Sequence, residues 1–529
     1  MQTEIVELRT HERTVVNPWL IACTVMLATF MEVLDTSVAN VALPHIAGSL
    51  SSSVDETTWV LTAYLVANAI VLPLSGWFST LFGRKRFYMT CVLLFTVSSA
   101  VCGLAPSLGV LIVCRVLQGL GGGALQPISQ AILRETFPRE KQGMAMAVYG
   151  MGVVFAPVVG PTLGGWITDN FTWRWIFLIN IPVGICSLLF TSLLVFDPPY
   201  LIRKSLRDGL KIDYVGLGLL ATGLGALEIM LDEGQRNDWF SSHGIVAAAV
   251  IAVVALAGVV FWELAQNDPV VDFHLLKERN FAISTFTMFA LGFVMYGSTV
   301  ALPLFLQTLL GYTATQSGMA LSPGGLAIMI MMPIVGFLLS KIEARWLIIF
   351  GLLISSFGLF QMAQFNLQVD FEHAVVARIV QSLGLAFLFV PINATAFYFI
   401  AKQRTSYATG LINLARNIGG SSGIAIATTL VARREQFHQQ QLVAHVSPLD
   451  GAYRSTLEAA RQMFLARGAD AVHASAQADQ MIYNLVQQQA AMLAFLEAFK
   501  FLAIAFLAVI PIVLLLKKTR PAKTEIVAE

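Results

Sequence analysis

The stretch WLIACTVMLATFMEVLDTSVANVALP, residues 19–44, decides the fold. A helix needs about 20 mainly apolar residues to cross the hydrocarbon core of a bilayer, and this stretch is long enough. Its only charged side chains are those of Glu32 and Asp35. Backbone polar groups in lipid must be paired within the segment, so the stretch is predicted to be a transmembrane helix.

The whole chain shares this composition. Of its 529 residues, 56% are hydrophobic and 12% are charged, whereas an ordinary soluble domain carries about 25% charged residues. The net charge is only +1. These values exclude a soluble enzyme, a disordered protein and a nucleic-acid-binding protein with a strong basic field. The sequence has no GxxxxGK[ST] loop and no HExxH motif, so neither ATP hydrolysis, nor a metal site, nor a cofactor is predicted.

Fourteen apolar stretches predict fourteen transmembrane helices, so the fold class is an all-α integral membrane protein. An even number of spans places both termini on one side of the membrane. The stretches begin near Trp19, Thr57, Phe87, Leu108, Gly143, Trp175, Tyr214, Gly244, Phe281, Gln316, Trp346, Ala374, Ser406 and Phe495.

Basic residues crowd every second loop and both tails (residues 1–17 and 517–529), and cytoplasmic loops collect Lys and Arg. We therefore expect both termini in the cytoplasm of a cell whose inner or plasma membrane holds the protein. The short loops on the other side carry mainly acids. The basic set is Arg9, Arg13, Arg84, Lys85, Arg86, Arg134, Arg139, Lys141, Arg203, Lys204, Arg207, Lys211, Lys277, Arg279, Lys341, Arg345, Lys402, Arg404, Lys517, Lys518, Arg520 and Lys523.

A weak internal repeat predicts two related six-helix halves. The halves are residues 18–200 and 271–516, and the seventh and eighth helices, within residues 201–270, are an insertion. Parallel halves with a central site near the bilayer midplane are typical of secondary transporters. The repeated pairs are Arg115 with Arg378 and Gln118 with Gln381 (378 − 115 = 263), Gly160 with Gly423 at the same offset, and VALP at 41–44 with 300–303 at an offset of 259.

Four motifs carry a family resemblance. They are LDTSVANVALP at 34–44, LIVCRVLQGLGGGA at 111–124, APVVGPTLGG at 156–165, and WRWIF at 173–177 followed by Asn180 and Pro182. Together they resemble the fourteen-helix drug:proton antiporters of the EmrB/QacA type in the major facilitator superfamily, over nearly the whole chain. The resemblance implies the major facilitator fold and a proton-coupled multidrug exporter that confers antibiotic resistance by alternating access.

One motif departs from the superfamily pattern. The loop GWFSTLFGRKR, residues 76–86, has Thr80 where an Asp is usual. The resemblance therefore does not extend to the latch attributed to that Asp, but the cytoplasmic loop motif keeps its other members. Those members are Gly76, Gly83, Arg84, Lys85 and Arg86.

Four residues are the predicted proton-coupling set: Asp35, Glu32, Arg115 and Gln118. A carboxylate in the hydrocarbon region is costly and persists where it has a partner or a cavity. Glu32 shares a helix face with Asp35, which predicts a coupled pair. The alternatives are a merely solvated or paired Asp35, a hydrogen-bonded Glu32, and an Arg115 bound permanently to carbonyls. In the second half, Asp35 maps near Val294, where no acid lies.

Arg378 matches Arg115 in the repeat and is expected nearer the outer end of its helix, in a structural role. The fifth helix carries small residues and prolines that allow close approach and bending. The resemblance implies a gating role for them, and generic packing is the alternative. The residues are Gly152, Pro157, Gly160, Pro161, Gly164 and Gly165.

Polar side chains in apolar helices are candidates for the lining of a substrate cavity. A sparse polar lining among many Phe and Met residues suits amphipathic drugs. For Asn413, Arg416 and Asn417, an interhelical hydrogen-bond network is the competing interpretation. The candidates are Asn68, Gln126, Gln130, Tyr296, Gln307, Gln361, Asn393, Tyr398, Asn413, Arg416 and Asn417.

The segment 431–494 has helical spacing of apolar residues and many Gln, His and Ala residues, which predicts an amphipathic helical hairpin outside the membrane. The resemblance implies that it docks a periplasmic adaptor (membrane fusion) protein, which an outer-membrane channel would join in a tripartite efflux system. A lid on the transporter's own outer face is the alternative.

The sequence thus predicts a proton-driven exporter of lipophilic or amphipathic compounds and no enzyme. Its expected partners are those compounds, protons and the bilayer, and neither a cofactor nor a nucleic acid is expected. A transporter of one specific metabolite or ion is the alternative, because one fold hosts many substrates.

Overall fold

The computed structural model describes residues 17–197, 213–266, 269–444, 446–447 and 450–518. Every regular element among them is helical. The long helices are α1 Pro18–Leu50, α2 Trp59–Phe82, α3 Arg84–Gly103, α4 Leu108–Gly122 with Leu125–Thr136, α5 Arg139–Asn170, α6 Trp175–Leu178 with Asn180–Leu194, α7 Tyr214–Glu233, α8 His243–Ala265, α9 Arg279–Leu310, α10 Ala314–Leu338, α11 Ala344–Met362, α12 Phe371–Ala396, α13 Thr405–Val443 and α14 Ala471–Leu514. Shorter helices are Val54–Thr57, Trp239–Ser241, Phe273–Lys277, Lys402–Arg404 and Gly451–Ala466.

The predicted all-helical membrane fold is confirmed. By length and hydropathy, 12 described helices can cross a membrane, or 13 if α5, bent by 44° between Pro157 and Val159, is one span. The helix α13 is not among them because it carries Asn and Arg side chains and continues into a polar extension, but it packs along α9 within the bundle. The predicted helix starts agree within a few residues, except that α14 begins at Ala471 rather than at Phe495.

Helix ends follow from local chemistry at the loops. Asn17 accepts a hydrogen bond from the Trp19 backbone N–H and so caps α1. Gly311 adopts φ +70°, a left-handed conformation that suits glycine, and ends α9. Thr313 and Gln316 then form a reciprocal capping box that starts α10.

The long helices form two six-helix halves and an inserted pair. In the first half, α1 packs on α5, and α4 packs on α2 and α3; in the second, α13 packs on α9 and α14, and α11 on α12. The two halves meet mainly where α5 contacts α10 and where α2 contacts α13. The inserted helices α7 and α8 pack on each other, and α7 also contacts α2 and α13.

Those members of the basic set predicted from the loops that the structure describes lie at one end of the bundle, which we call the basic face. The other end is the opposite face. The N-terminal tail, the segment with Arg203, Lys204, Arg207 and Lys211, and the C-terminal Arg520 and Lys523 lie outside the described residues. The basic face carries Arg84, Lys85, Arg86, Arg134, Lys141, Lys277, Arg279, Lys341, Arg345, Lys402, Arg404, Lys517 and Lys518.

Two helices extend well beyond the opposite face. The 39 residues of α13 and the 44 residues of α14 correspond to roughly 58 and 66 Å at 1.5 Å per residue, against about 30 Å of hydrocarbon. Arg434 and His438 of α13 bind Glu497 of α14 at the base of this projection. The helix Gly451–Ala466 packs on α14. Among its described residues, the segment 431–494 therefore contains the extensions of α13 and α14 and the separate helix Gly451–Ala466.

Candidate functional site

Asp35 lies in α1 at the centre of a buried hydrogen-bond network within the first half. It is 3% exposed, and the Arg115 side chain from α4 forms a salt bridge to its Oδ2 atom. Gln118 Nε2 donates to Asp35 Oδ1 at 2.9 Å. Asn180 of α6 donates to the same oxygen at 2.7 Å. Both carboxylate oxygens are therefore satisfied, and the acid is paired rather than solvated.

Arg115 is fully buried and is held from several directions. Its Nε donates to the Val60 carbonyl oxygen at 2.9 Å, and its Nη1 donates to Gln118 Oε1 at 2.9 Å. Its guanidinium carbon lies 4.3 Å from the centre of the Tyr64 ring. Stacking on an aromatic face favours a cation. Loss of the Asp35 charge would leave this arginine with neutral partners only.

Glu32, one turn before Asp35, has a separate set of donors. It accepts hydrogen bonds from Gln126 at 2.7 Å, Asn68 at 3.0 Å and the Tyr64 hydroxyl at 3.3 Å. Asp35 and Glu32 thus share no donor, although Tyr64 touches both networks. A Cβ atom at Gly122 of α4 would lie 2.6 Å from the Tyr64 hydroxyl, so that glycine makes room for the ring.

The Glu32 network continues across the boundary between the halves, which we call the seam. Arg416 of α13 donates to Gln126 of α4, and Asn413 donates to Gln130 at 2.9 Å. Asn417 approaches Asn68 at 3.5 Å. These side chains bind one another directly, as the network interpretation of α13 expects, rather than lining an open cavity.

The seam is also closed near the basic face. Arg134 of α4 donates to the Asn393 carbonyl oxygen at 2.8 Å, and its guanidinium carbon lies 3.5 Å from the centre of the Phe397 ring. A Cβ atom at Gly76 of α2 would lie 2.8 Å from the Tyr407 backbone. Contacts this close leave no passage between the halves at these points.

Three of the predicted cavity residues lie away from the seam. Tyr398 follows the end of α12 at the basic face and is 41% exposed beside Phe399. Gln307 is exposed near the end of α9, and Gln361, near the end of α11, lines a surface hollow. Polar residues occur at helix ends as well as in cavity linings, so polarity alone does not distinguish the two positions. Tyr296 packs against Gly420 of α13.

The glycines of α5 bring α1 close. A Cβ atom at Gly160 would lie 2.3 Å from Ser37 Oγ, one at Gly164 would lie 3.0 Å from the Val38 carbonyl oxygen, and one at Gly152 would lie 2.9 Å from Met26. Gly165 differs, because the nearest atom to its Cβ position is 4.0 Å away. The bend of α5 follows Pro157, whose free carbonyl accepts from Ser37 at 3.1 Å, and Pro161 lies in the segment beyond it.

The loop motif between α2 and α3 is anchored by an ion pair and by contacts with the backbone. Gly83 has φ +83° and allows the turn. Arg84 pairs with Glu135, and Lys85 Nζ donates to the Ser192 carbonyl oxygen at 2.6 Å, whereas Arg86 is exposed. Thr80 donates to the Trp77 carbonyl oxygen of its own helix at 2.8 Å.

The second half contains a matching network without an acid. Arg378 Nη1 donates to Gln381 Oε1 at 2.8 Å, its Nη2 donates to Thr299 Oγ1 at 2.9 Å, and Gln381 Nε2 donates to Ser298 Oγ at 2.7 Å. Ser298 stands 263 residues after Asp35 (298 − 35 = 263). The mapping of Asp35 near Val294 is therefore wrong by about one helical turn. Arg378 is the eighth residue of its helix, as Arg115 is of α4, so the expectation of a shallower position is also wrong.

Comparisons with known proteins agree with this architecture. The family description Major Facilitator Superfamily matches residues 25–424. This chain belongs to that superfamily. The transporter is 40% identical over 431 residues to the multidrug export protein EmrB of Haemophilus influenzae, covering 81% of this chain and 83% of that protein. It is 36% identical to the fatty acid resistance protein FarB of Neisseria gonorrhoeae over 492 residues, 93% and 94% of the two chains.

A solved structure shares the fold. The human organic anion transporter MFSD10 (TETRAN) aligns with a TM-score of 0.57 at 13% identity, over 93% of this chain and 99% of that one. The identity to the EmrB protein confirms the resemblance to EmrB/QacA-type transporters. The chain is a multi-pass membrane protein of a transporter family, and its relatives are export and resistance proteins.

Three members of the site are not predicted from the sequence as site residues: Tyr64, Ser99 and Asn180. Asn180 donates both to Asp35 and to Ser99 Oγ, the latter at 3.0 Å. Each is a polar residue within an apolar helix, and that signal is available from the sequence. Which carboxylate each one serves depends on helix rotation, which the sequence pattern does not give.

Proposed function

We propose that the transporter exports lipophilic and amphipathic compounds in exchange for protons. The observation that carries this proposal is the buried Asp35–Arg115 ion pair, a titratable acid and a fixed cation inside the membrane region. Protonation of Asp35 releases Arg115, and substrate binding favours the opposite change. The relatives named multidrug export and fatty acid resistance proteins support the substrate class.

The proposed orientation places the basic face in the cytoplasm of a bacterium, in its inner membrane. The excess of Lys and Arg at that face supports it. With this orientation, the contacts across the seam correspond to a state that is closed toward the cytoplasm. Inward proton flow through alternating access would drive export, with no cofactor.

The helices of the segment 431–494 are proposed to dock a periplasmic adaptor protein that connects to an outer-membrane channel. Their projection beyond the opposite face supports this role, because α13 and α14 extend much farther than a bilayer requires.

Transport by purified protein in liposomes tests the function. Liposomes with an acidic lumen receive ethidium, tetraphenylphosphonium or laurate outside, and uptake is followed over time. We expect the wild type to concentrate several of these compounds, and the Asp35→Asn variant to concentrate none. Asp238→Asn, a change in an exposed loop, is the matched control.

Two outcomes of this experiment count against the proposal. Accumulation of one compound alone would favour a transporter of one specific metabolite or ion. Accumulation that ignores the pH gradient would exclude proton coupling.

A further inference from the structure

The inserted helix α7 contacts both halves on the side of the opposite face. Near the basic face, α2 and α13 touch directly, since a Cβ atom at Gly410 would lie 3.2 Å from the Leu72 carbonyl oxygen. Farther along, Asn68 and Asn417 still approach each other. Beyond that level, α7 contacts both α2 and α13.

The contacts of α7 and of the turn after it with the first half include polar ones. Thr62 of α2 donates to Asp232, and Arg236, just after α7, donates to Thr58. Gly225 of α7 also packs against Val66 of α2, with its Cβ position 3.6 Å from the valine. These contacts attach α7 to the first half.

The contacts with the second half are fewer. Trp239, in the turn after α7, donates from Nε1 to Thr429 Oγ1 of α13 at 2.9 Å. The Glu228 carboxyl group lies in hydrogen-bonding contact with Ser421 of α13. Alternating access requires the halves to move relative to each other, and these are the contacts of α7 that such a movement would break.

Glu228 is a buried carboxyl group that the Asp35 and Glu32 networks do not include. It is 3% exposed, and its partner Ser421 is neutral. The charge that acts on it is that of the acid Asp232, one turn farther along α7. Among the described residues, no Lys, Arg or His forms an ion pair with Glu228.

The helices packed around Glu228 carry other titratable and charged groups, but none of these groups in the described structure is a counter-charge to Glu228. Arg416, on the neighbouring α13, is directed at Gln126 instead. The groups are Tyr64 on α2, His243 and Glu263 on α8, Tyr407, Arg416, Arg433, Arg434, Glu435 and His438 on α13, and Tyr214, Asp232 and Glu233 on α7 itself.

A buried carboxylate without a cation is unfavourable, and such a group takes up a proton instead. We propose that Glu228 is a second proton-binding site of the transporter, coupled to the contact between α7 and α13. A proton from water at the opposite face bonds to one carboxylate oxygen of Glu228 when the contact forms. It returns to water when the contact breaks and the group becomes hydrated.

This inference rests on the alternating movement proposed above, but not on the identity of the substrate. It differs from the Asp35 site in one respect: Asp35 has a permanent cation beside it and Glu228 has none. The two carboxyl groups therefore lie in different electrostatic surroundings.

Infrared difference spectroscopy of the full chain in lipid tests the protonation directly. We expect a carboxylic-acid C=O stretching band at neutral pH that Glu228→Gln removes and that Asp238→Asn retains. Ser421→Ala should shift the frequency of that band, whereas Ser422→Ala, on the adjacent residue, should not. An unchanged band in Glu228→Gln would overturn the proposal.

Cross-linking tests the coupling to movement. In a cysteine-free background, a short bifunctional thiol reagent joins Trp239→Cys to Thr429→Cys, or Arg236→Cys to Thr58→Cys as the matched control. We expect the α7–α13 link to stop transport and to hold the infrared band at every pH tested, and the α7–α2 link to preserve transport. Full transport with α7 tied to α13 would overturn the coupling.

The failure of this inference is distinguishable from failure of the proposed function. If the wild type does not move substrate with the pH gradient, the proposed function fails. If the wild type transports, and the Glu228→Gln variant shows the same infrared band and the same pH dependence of transport, only the second proton site fails.

Discussion

Each half of the transporter has a buried arginine at an equivalent position, but the two arginines have different partners. Arg115 and Arg378 are both almost fully buried, at 0% and 2% exposure. Arg115 meets the carboxylate of Asp35, and Arg378 meets the hydroxyl of Ser298. The shared part of the two networks holds helices together, and only the first half adds a group that can bind and release a proton.

The largest expected effect is the difference between changing Asp35, the partner of Arg115, and changing Ser298, the partner of Arg378. Asp35→Asn removes the titratable group and should reduce gradient-driven accumulation to the level of empty liposomes. Ser298→Ala, its counterpart, removes only a neutral hydrogen-bond partner and should leave accumulation within about twofold of the wild type. The measurement is uptake into liposomes with an acidic lumen. Equal loss in both variants would mean that the asymmetry has no bearing on coupling.

The arginines themselves should differ in their contribution to stability. Arg115→Ala leaves Asp35 buried without its cation, which costs about 3–5 kcal/mol. Arg378→Ala breaks hydrogen bonds to neutral side chains, which costs about 1–3 kcal/mol. Thermal unfolding in detergent should therefore rank the wild type above Arg378→Ala, and Arg378→Ala above Arg115→Ala. The reverse order of the two variants would show that the second network carries a charge interaction.

A methyl group added at a close helix contact should lower the stability of the protein by a similar amount in either half. A Cβ atom at Gly160 would lie 2.3 Å from Ser37 Oγ, and one at its repeat partner Gly423 would lie 2.0 Å from the Phe293 carbonyl oxygen. Each change to alanine should cost about 1–3 kcal/mol, because the neighbouring helix must move. Gly165→Ala is the control and should stay within about 0.5 kcal/mol, because its Cβ atom would lie 4.0 Å from the nearest atom, Thr315 Oγ1. Detergent unfolding checks all three, and a neutral Gly160→Ala would contradict the close packing.

Much of the architecture follows from the sequence because a bilayer restricts a chain so strongly. Apolar length alone predicts the helices, and the repeat of Arg115 as Arg378 predicts two related halves. The motif around Asp35 points to the family. Apolar spacing also predicts helices in the segment 431–494, but not that α13 and α14 continue into it, because hydropathy marks only the part of a helix that lies in the membrane.

The arrangement of the site depends on helix rotation and contact, which a single sequence does not determine. The repeat has two offsets, 259 and 263, which differ by about one helical turn. The first places the counterpart of Asp35 at Val294, and the second places it at Ser298. The separation of Glu32 from Asp35 depends on Tyr64, Asn68 and Gln126 reaching one acid and not the other. The position of α7 between α2 and α13 likewise arises from tertiary packing.

Proton release on substrate binding tests the central claim most directly. Purified transporter in weakly buffered detergent solution with a pH indicator receives ethidium, and the released protons are counted per protein. We predict release from the wild type and from Ser298→Ala, and its loss in Asp35→Asn at ethidium concentrations that still saturate binding. The same proton release from Asp35→Asn as from the wild type would contradict the assignment of coupling to the first half.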